Sequence, residues 1–281
     1  MINFTKLALQ EFDNHLLDVF SNDSSHLETI EILRKMANIS YTHFTKSNSI
    51  YFTLGHSLSA SLVGIGIIDA MKCQYGLVRE SEAINLMASI FFCNIGIIYG
   101  VLKDDKDGMA KISASESTDI SKFSTTSGLW KYKPFRSKEF IKESPFVSSN
   151  INNELVNRAI EVSDLTSTVD NHQNIGEINK LVRASEIISL MADENINRRQ
   201  VEFYLSAIEG SAIDPNIFKS LGDFRDKFRN YFWEVLYPDV GDVLLLLRET
   251  IKGRKIVSKI YSHLRITTSV SEKFPLAASM T

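Results

Sequence analysis

Apolar residues recur along this chain at the three-to-four-residue spacing of an amphipathic helix, and no strand-like alternation of useful length interrupts them. Leu9, Phe12, Leu16 and Phe20 predict a first helix over Thr5 to Phe20. Ser25-x-x-Glu28 reads as a capping box opening a second, with Leu27, Ile30, Leu33 and Ala37 on one stripe and an end near Phe44. Leu54 to Met71 and Glu80 to Tyr99 differ from these: they are apolar on nearly every side, with small residues such as Ser57, Ala60, Ser61, Gly64 and Gly66 mixed into the first. Helices of this kind are buried all round, and small side chains let their neighbours approach closely. Lys103 to Gly128 is dominated by Lys, Asp, Ser, Thr and Gly, and predicts a mobile surface loop. Helices resume at Phe135–Glu143, Ile151–Val162, Gly176–Asp193, Arg198–Ile208, Asn216–Tyr237 and Asp239–Leu264, with a break in the last at Gly253. The expected fold is all-α, a single helical domain over residues 1–281 with two buried central helices.

Composition narrows the function classes. The 281 residues suffice for a closed core. A net charge of −3 gives no general case for nucleic acid, and the basic runs Asn197-Arg198-Arg199-Gln200 and Gly253-Arg254-Lys255 read as solvated helix faces. Cys73 and Cys93 lack metal-ligand spacing and point to a reducing, cytoplasmic setting. Polar residues interrupt both long apolar stretches, which fit core helices better than membrane spans of roughly 20 clean apolar residues. No glycine-rich phosphate loop, Gly-x-Ser-x-Gly elbow or His-Glu-x-x-His pair is present.

Four segments carry candidate chemistry. Tyr51-Phe52-Thr53-Leu54-Gly55-His56-Ser57 and Cys93-Asn94-Ile95-Gly96-Ile97-Ile98-Tyr99-Gly100 resemble the first two motifs of the HD-type metal-dependent phosphohydrolases, which include cyclic-nucleotide phosphodiesterases. In that branch they read Tyr-His-Asn-x-x-His-Thr and His-Asp-Ile-Gly-Tyr-x-x-Gly. Tyr132-Lys133-Pro134-Phe135-Arg136 is similar to a third motif, Thr-Pro-Tyr-His-x-x-Arg-Gly, with Lys133 in the His position. Leu181-Val182-Arg183-Ala184-Ser185-Glu186 is similar to a fourth, Leu-Val-Arg-Ala-Ala-Asp. Phe232 to Val240 and Ile260-Tyr261-Ser262-His263-Leu264 look like the same branch's terminal helices, so the resemblance covers about residues 40–265.

The resemblance implies an HD-like helical bundle whose metal ligands are two His and two Asp. Only His56 matches one. Cys93-Asn94 stands in the His-Asp position, Glu186 in that of the distant Asp, and Phe52 in that of a protonating His. Phenyl cannot donate a proton, and Asn94 offers only a neutral oxygen. Cys93 on an apolar helix reads as an inert core thiol, and Lys133 taken alone as a solvated lysine. Glu186 is expected to pair with His56 or Arg183. Phe52, His56, Cys93, Asn94, Lys133, Arg183 and Glu186 thus outline a vestigial pocket for which neither catalysis nor metal is expected.

The expected function is a catalytically inactive binding or regulatory module, acting on an unidentified protein partner or small polar ligand. One alternative is a phosphohydrolase with an altered site, using His56, Cys93 and Glu186 to hold zinc, iron or manganese. Another is a helical structural or assembly protein. The aromatic run Phe228, Tyr231, Phe232, Trp233 and Leu236 suits a homo-oligomer interface as well as it suits the core. His15, His26, His43, His172 and His263 are given no catalytic role.

Overall fold

The computed structural model describes residues 2–20, 26–166, 176–213 and 218–266. The fold is all-α, as the periodicity predicts: twelve α-helices and one two-stranded hairpin among the described residues. Helices α1 (Phe4–Phe20) and α2 (Leu27–Phe44) pack with α3 (Leu54–Tyr75) and α4 (Glu80–Phe92). Beyond them lie α5 (Lys133–Glu143), α6 (Pro145–Ser149), α7 (Asn153–Val162), α8 (Glu177–Met191) and α9 (Ile196–Glu209). The chain closes with α10 (Leu221–Tyr231), a π-helical turn (Phe232–Leu236), α11 (Tyr237–Leu247) and α12 (Ile251–Ile266). The capping Ser25 and His172 lie outside the described residues.

Helix α3 is the axis of the core. It begins where the Thr53 hydroxyl accepts the His56 backbone N–H at 3.2 Å, and ends at Gly76, whose φ of 79° is the left-handed conformation glycine adopts freely. Gly64 brings it close to α4: a Cβ there would stand 2.5 Å from Ile90 Cδ1. Among the described residues α3 is the one helix long and apolar enough to cross a membrane, and more than half of it is buried by its neighbours α1, α2, α4 and α8.

Two boundaries differ from expectation near the candidate site. The helix expected to run to Tyr99 stops at Phe92, and a 3-10 turn over Ile95–Ile97 follows. Gly96 explains the tightness of that turn. A Cβ there would meet Lys133 O at 2.4 Å and Ser137 N at 2.6 Å, so only glycine allows the turn to lie on the first turn of α5. In the C-terminal segment the break falls at Arg248–Thr250, and Gly253 sits buried inside α12. A Cβ on Gly253 would come 1.9 Å from Leu247 O.

The 103–128 segment, expected as a mobile surface loop, contains regular structure. It contains the antiparallel pair β1 (Met109–Lys111) and β2 (Ser117–Asp119) and buries Ala110 completely. Its anchor is an ion pair, Asp105–Arg136, whose side chains are both 0% exposed. Arg136 donates from Nη1 to Asp105 Oδ1 at 2.9 Å and from Nη2 to Oδ2 at 2.7 Å. It also donates to the carbonyls of Gly96, Ile98 and Lys111. Asp105 in turn accepts the backbone N–H groups of Gly100, Leu102 and Lys111. Burial alone would push the Asp105 carboxyl up; the Arg136 contacts outweigh it and hold the group below the usual carboxylate range. One ion pair therefore joins the turn after α4, the hairpin and α5.

Breaking a buried pair leaves an uncompensated charge, which costs about 3–5 kcal/mol. Asp105→Ala is expected to lose an amount in that range in urea unfolding, and the double variant Asp105→Leu, Arg136→Met to recover part of it. A loss below about 1 kcal/mol in the single variant would show that the pair does not anchor this segment.

Candidate functional site

The residues singled out by the sequence converge, with one exception. His56 lies in the first turn of α3, Cys93 and Asn94 at the end of α4, Lys133 at the start of α5 and Glu186 in the middle of α8. They span 130 positions in sequence, from His56 to Glu186, and meet at hydrogen-bond distance. All are buried: His56, Lys133 and Glu186 are each 2% exposed, Asn94 3% and Cys93 0%.

The hub is the Glu186 carboxylate. Oε2 accepts from His56 Nε2 at 3.1 Å and from Asn94 Nδ2 at 2.8 Å, while Cys93 Sγ lies 3.6 Å from Oε1. Asn94 bridges charges of opposite sign, because its Oδ1 accepts from Lys133 Nζ at 2.8 Å. This fixes the amide orientation and gives a physical reason for asparagine. A carboxylate at position 94 would stand against Glu186 with no proton between them.

Lys133 corrects the reading of a solvated lysine. Its ammonium lies 5.2 Å from the centre of the Phe52 ring and 5.7 Å from that of Trp130. Aromatic faces attract cations, so part of the hydration lost on burial is replaced. Phe52, 2% exposed, also packs edge-on to His56 and to Trp130, at centroid distances of 5.7 and 4.6 Å. Its role is to wall the cluster and face the Lys133 charge. Trp130 Nε1 donates to Asp164 Oδ2 at 3.0 Å. The Lys133 charge and bonds from Thr166 and Trp130 hold the Asp164 carboxyl below its usual range, against burial that pushes it up.

Arg183 is the exception. It points away from Glu186, donating from Nε to Asp239 Oδ2 at 2.7 Å and from Nη1 to the carbonyls of Val162 and Asp164. The expected alternatives for Glu186 thus resolve in favour of His56.

Arg199 is the functional residue that the sequence reading missed. Read as part of a solvated face, it is 8% exposed, and its Nη2 lies 3.0 Å from His56 Nδ1. Its guanidinium covers the Tyr51 ring at 4.5 Å and pairs with Glu202 at 2.7 Å. The signal was present in the spacing. Ile196, Phe203 and Ala207 form the buried stripe of α9, and position 199 falls on it while position 198 does not.

Arg199 also sets the state of His56. A guanidinium can only donate, so Nδ1 must accept, and the single ring proton sits on Nε2, where it is given to Glu186. Burial lowers the His56 pKa, Glu186 opposes that, and Arg199 and Lys133 add to the lowering. Glu186 is held below its usual range by His56, Lys133 and Asn94, which outweigh its burial. Burial and Glu186 push the Cys93 thiol well up, so it stays protonated. The cluster therefore consists of a carboxylate, a neutral imidazole, a thiol, an amide and two cations.

These groups do not fit the metal site that the motif positions suggest. The lone pairs of Glu186 Oε2 and His56 Nδ1 are engaged by donors, and Cys93 keeps its proton. Among the described residues no three His, Cys, Asp or Glu side chains are arranged to hold a metal ion. The arrangement is that of a closed polar lock joining five elements of the core. Of the other described histidines, His26 lies 2.9 Å from Glu80 Oε1, His263 Nδ1 lies 2.8 Å from Met191 O, and the buried His43 Nδ1 meets no hydrogen-bond partner among the described residues.

The fold and this cluster define an all-α domain centred on an internally satisfied carboxylate. The chain belongs to the family described as Npun_R2479-like, which it matches over residues 2–269. No curated protein matches it.

Acid should open the lock. A histidine whose folded pKa lies below its unfolded value of about 6.5 contributes stability that is complete above that pH and lost as pH falls toward the folded value. Glu186, also lowered, loses its contribution at lower pH still, as pH falls through its folded pKa. Unfolding free energy is therefore expected to fall in the window below about pH 6.5, toward the folded value. Part of this slope belongs to His43, whose pKa burial also lowers. His56→Gln should be less stable at neutral pH by about 2 kcal/mol and show a shallower slope over that window. Equal slopes for the two proteins in denaturant titrations would contradict a neutral His56.

Proposed function

We propose that this protein is a degenerate relative of the HD-type phosphohydrolases, serving as a binding or regulatory module rather than a hydrolase. Four motif-like segments remain in order, and the residues standing at the metal-ligand and third-motif positions come together in space. This convergence supports descent from an HD-like bundle, and the chemistry at those positions supports loss of catalysis. Phe52 replaces the proton donor, and Lys133 brings a fixed positive charge against Asn94. The carrying observation is that the donors of His56 and Asn94 already fill Glu186 Oε2.

On this reading the cluster stabilises the bundle, and the protein acts through its surface, in a reducing compartment such as the cytoplasm. The same geometry argues against a hydrolase using His56, Cys93 and Glu186 as a reduced ligand set, since metal would have to displace both Arg199 and Asn94. Protein purified without chelators or an affinity metal is expected to hold under about a tenth of an equivalent of zinc, iron, manganese, nickel or cobalt. It should also cleave bis(p-nitrophenyl) phosphate no faster than His56→Ala. Near-stoichiometric metal that is lost in His56→Ala, together with turnover above that variant, would overturn the proposal in favour of an altered hydrolase.

A further inference from the structure

Two open clefts meet at the start of α8. A cleft of about 840 Å³ runs between α3, α4, α7 and the start of α8. A second, of about 400 Å³, continues between α3, α8 and α11. Tyr75, Glu177 and Leu181 line both, so the two form one groove. None of the lock residues lines it.

The groove has an apolar floor and an acidic rim. Ile68, Met71, Leu86 and Leu181 supply the floor. Tyr75 and Leu245, 64% and 58% exposed, stand on the rim as large apolar side chains open to solvent. Five acids line it, Glu82, Glu154, Glu177, Asp242 and Glu249, against two bases, Arg158 and Lys180. Arg158 is already engaged by Glu154 at 2.9 Å, and Glu177 has no ion-pair partner among the described residues.

We infer that this groove docks a basic amphipathic segment of a partner protein. An apolar face would cover Tyr75, Leu245 and the floor, while flanking Lys or Arg side chains would answer Glu177, Asp242 and Glu249. The chain's own remaining stretches do not offer that charge. Residues 21–25, 167–175 and 214–217 each contain one Asp and no Lys or Arg, and residues 267–281 contain Glu272 and Lys273, which cancel. Exposed apolar side chains rimmed by polar residues, here mostly acidic ones, are a common mark of an interaction site. The inference is independent of whether the buried lock once held a metal.

The test uses the full chain and a fluorescent helical peptide of about 14 residues, with Leu on one face and Lys on the other. Its counterpart, with Glu for Lys, serves as the charge control. The Leu/Lys peptide is expected to bind, with the Glu counterpart at least about tenfold weaker. The triple variant Glu177→Lys, Asp242→Lys, Glu249→Lys should lose at least about tenfold in affinity. Glu28→Lys, Glu31→Lys, Glu116→Lys changes the net charge equally at exposed sites away from the groove and should leave binding unchanged. Leu245→Asp should weaken binding without altering the thermal midpoint. Absence of binding up to about 1 mM peptide would overturn the inference, as would equal losses in the two triple variants or tighter binding of the acidic counterpart.

Discussion

A carboxylate withdrawn from water must be met by donors, and the rest of this core is arranged around the one at Glu186. Its partners come from the first turn of α3, the end of α4 and, through Asn94, the start of α5. Arg199 of α9 enters through His56. An isolated ion in a low-dielectric interior costs several kcal/mol, so these elements are energetically tied to a single geometry. The packing serves the same end. Gly96 allows the turn carrying Asn94 to lie against Lys133, and the rings of Phe52 and Trp130 face the lysine charge where water cannot.

The chemistry at each position follows from that arrangement. With Arg199 donating to one imidazole nitrogen, His56 can only offer its proton to Glu186. With Lys133 on one side and Glu186 on the other, an amide satisfies both where a second carboxylate could not. The Asp105–Arg136 pair applies the same rule a short distance away, holding the hairpin segment to α5 and to the turn that bears Asn94. Two buried charged knots thus flank Gly96, and neither has a charge left uncompensated.

The helices were legible because their apolar residues recur with the helical period; their ends were less so, and α3 runs to Tyr75, past the expected end at Met71. The convergence of positions 56, 94, 133 and 186 was legible through motif resemblance. What escaped was burial of polar residues. Lys133 is covered by one ring 3 positions away, Trp130, and by another 81 positions away, Phe52, which no local pattern announces. The 103–128 stretch looks unstructured because its anchor, Asp105, is a polar residue whose partner lies 31 positions on. Arg199 was readable from its place on the buried stripe of α9, but a pair of adjacent arginines suggested a solvated face. Arg183 pointed elsewhere because Asp239, in a segment with no local signal for pairing, accepts its guanidinium.

The claim that binds these observations is that His56 is neutral, with its proton on Nε2 and Arg199 donating to Nδ1. Nitrogen-15 NMR of the histidine side chains reads this state directly, with His56→Gln identifying the signal. The account requires a protonated Nε2 and a bare Nδ1 that persist from neutral pH to below the ordinary histidine value of about 6.5. A proton on Nδ1, or a titration at the ordinary value, would mean that the lock is open and would contradict it.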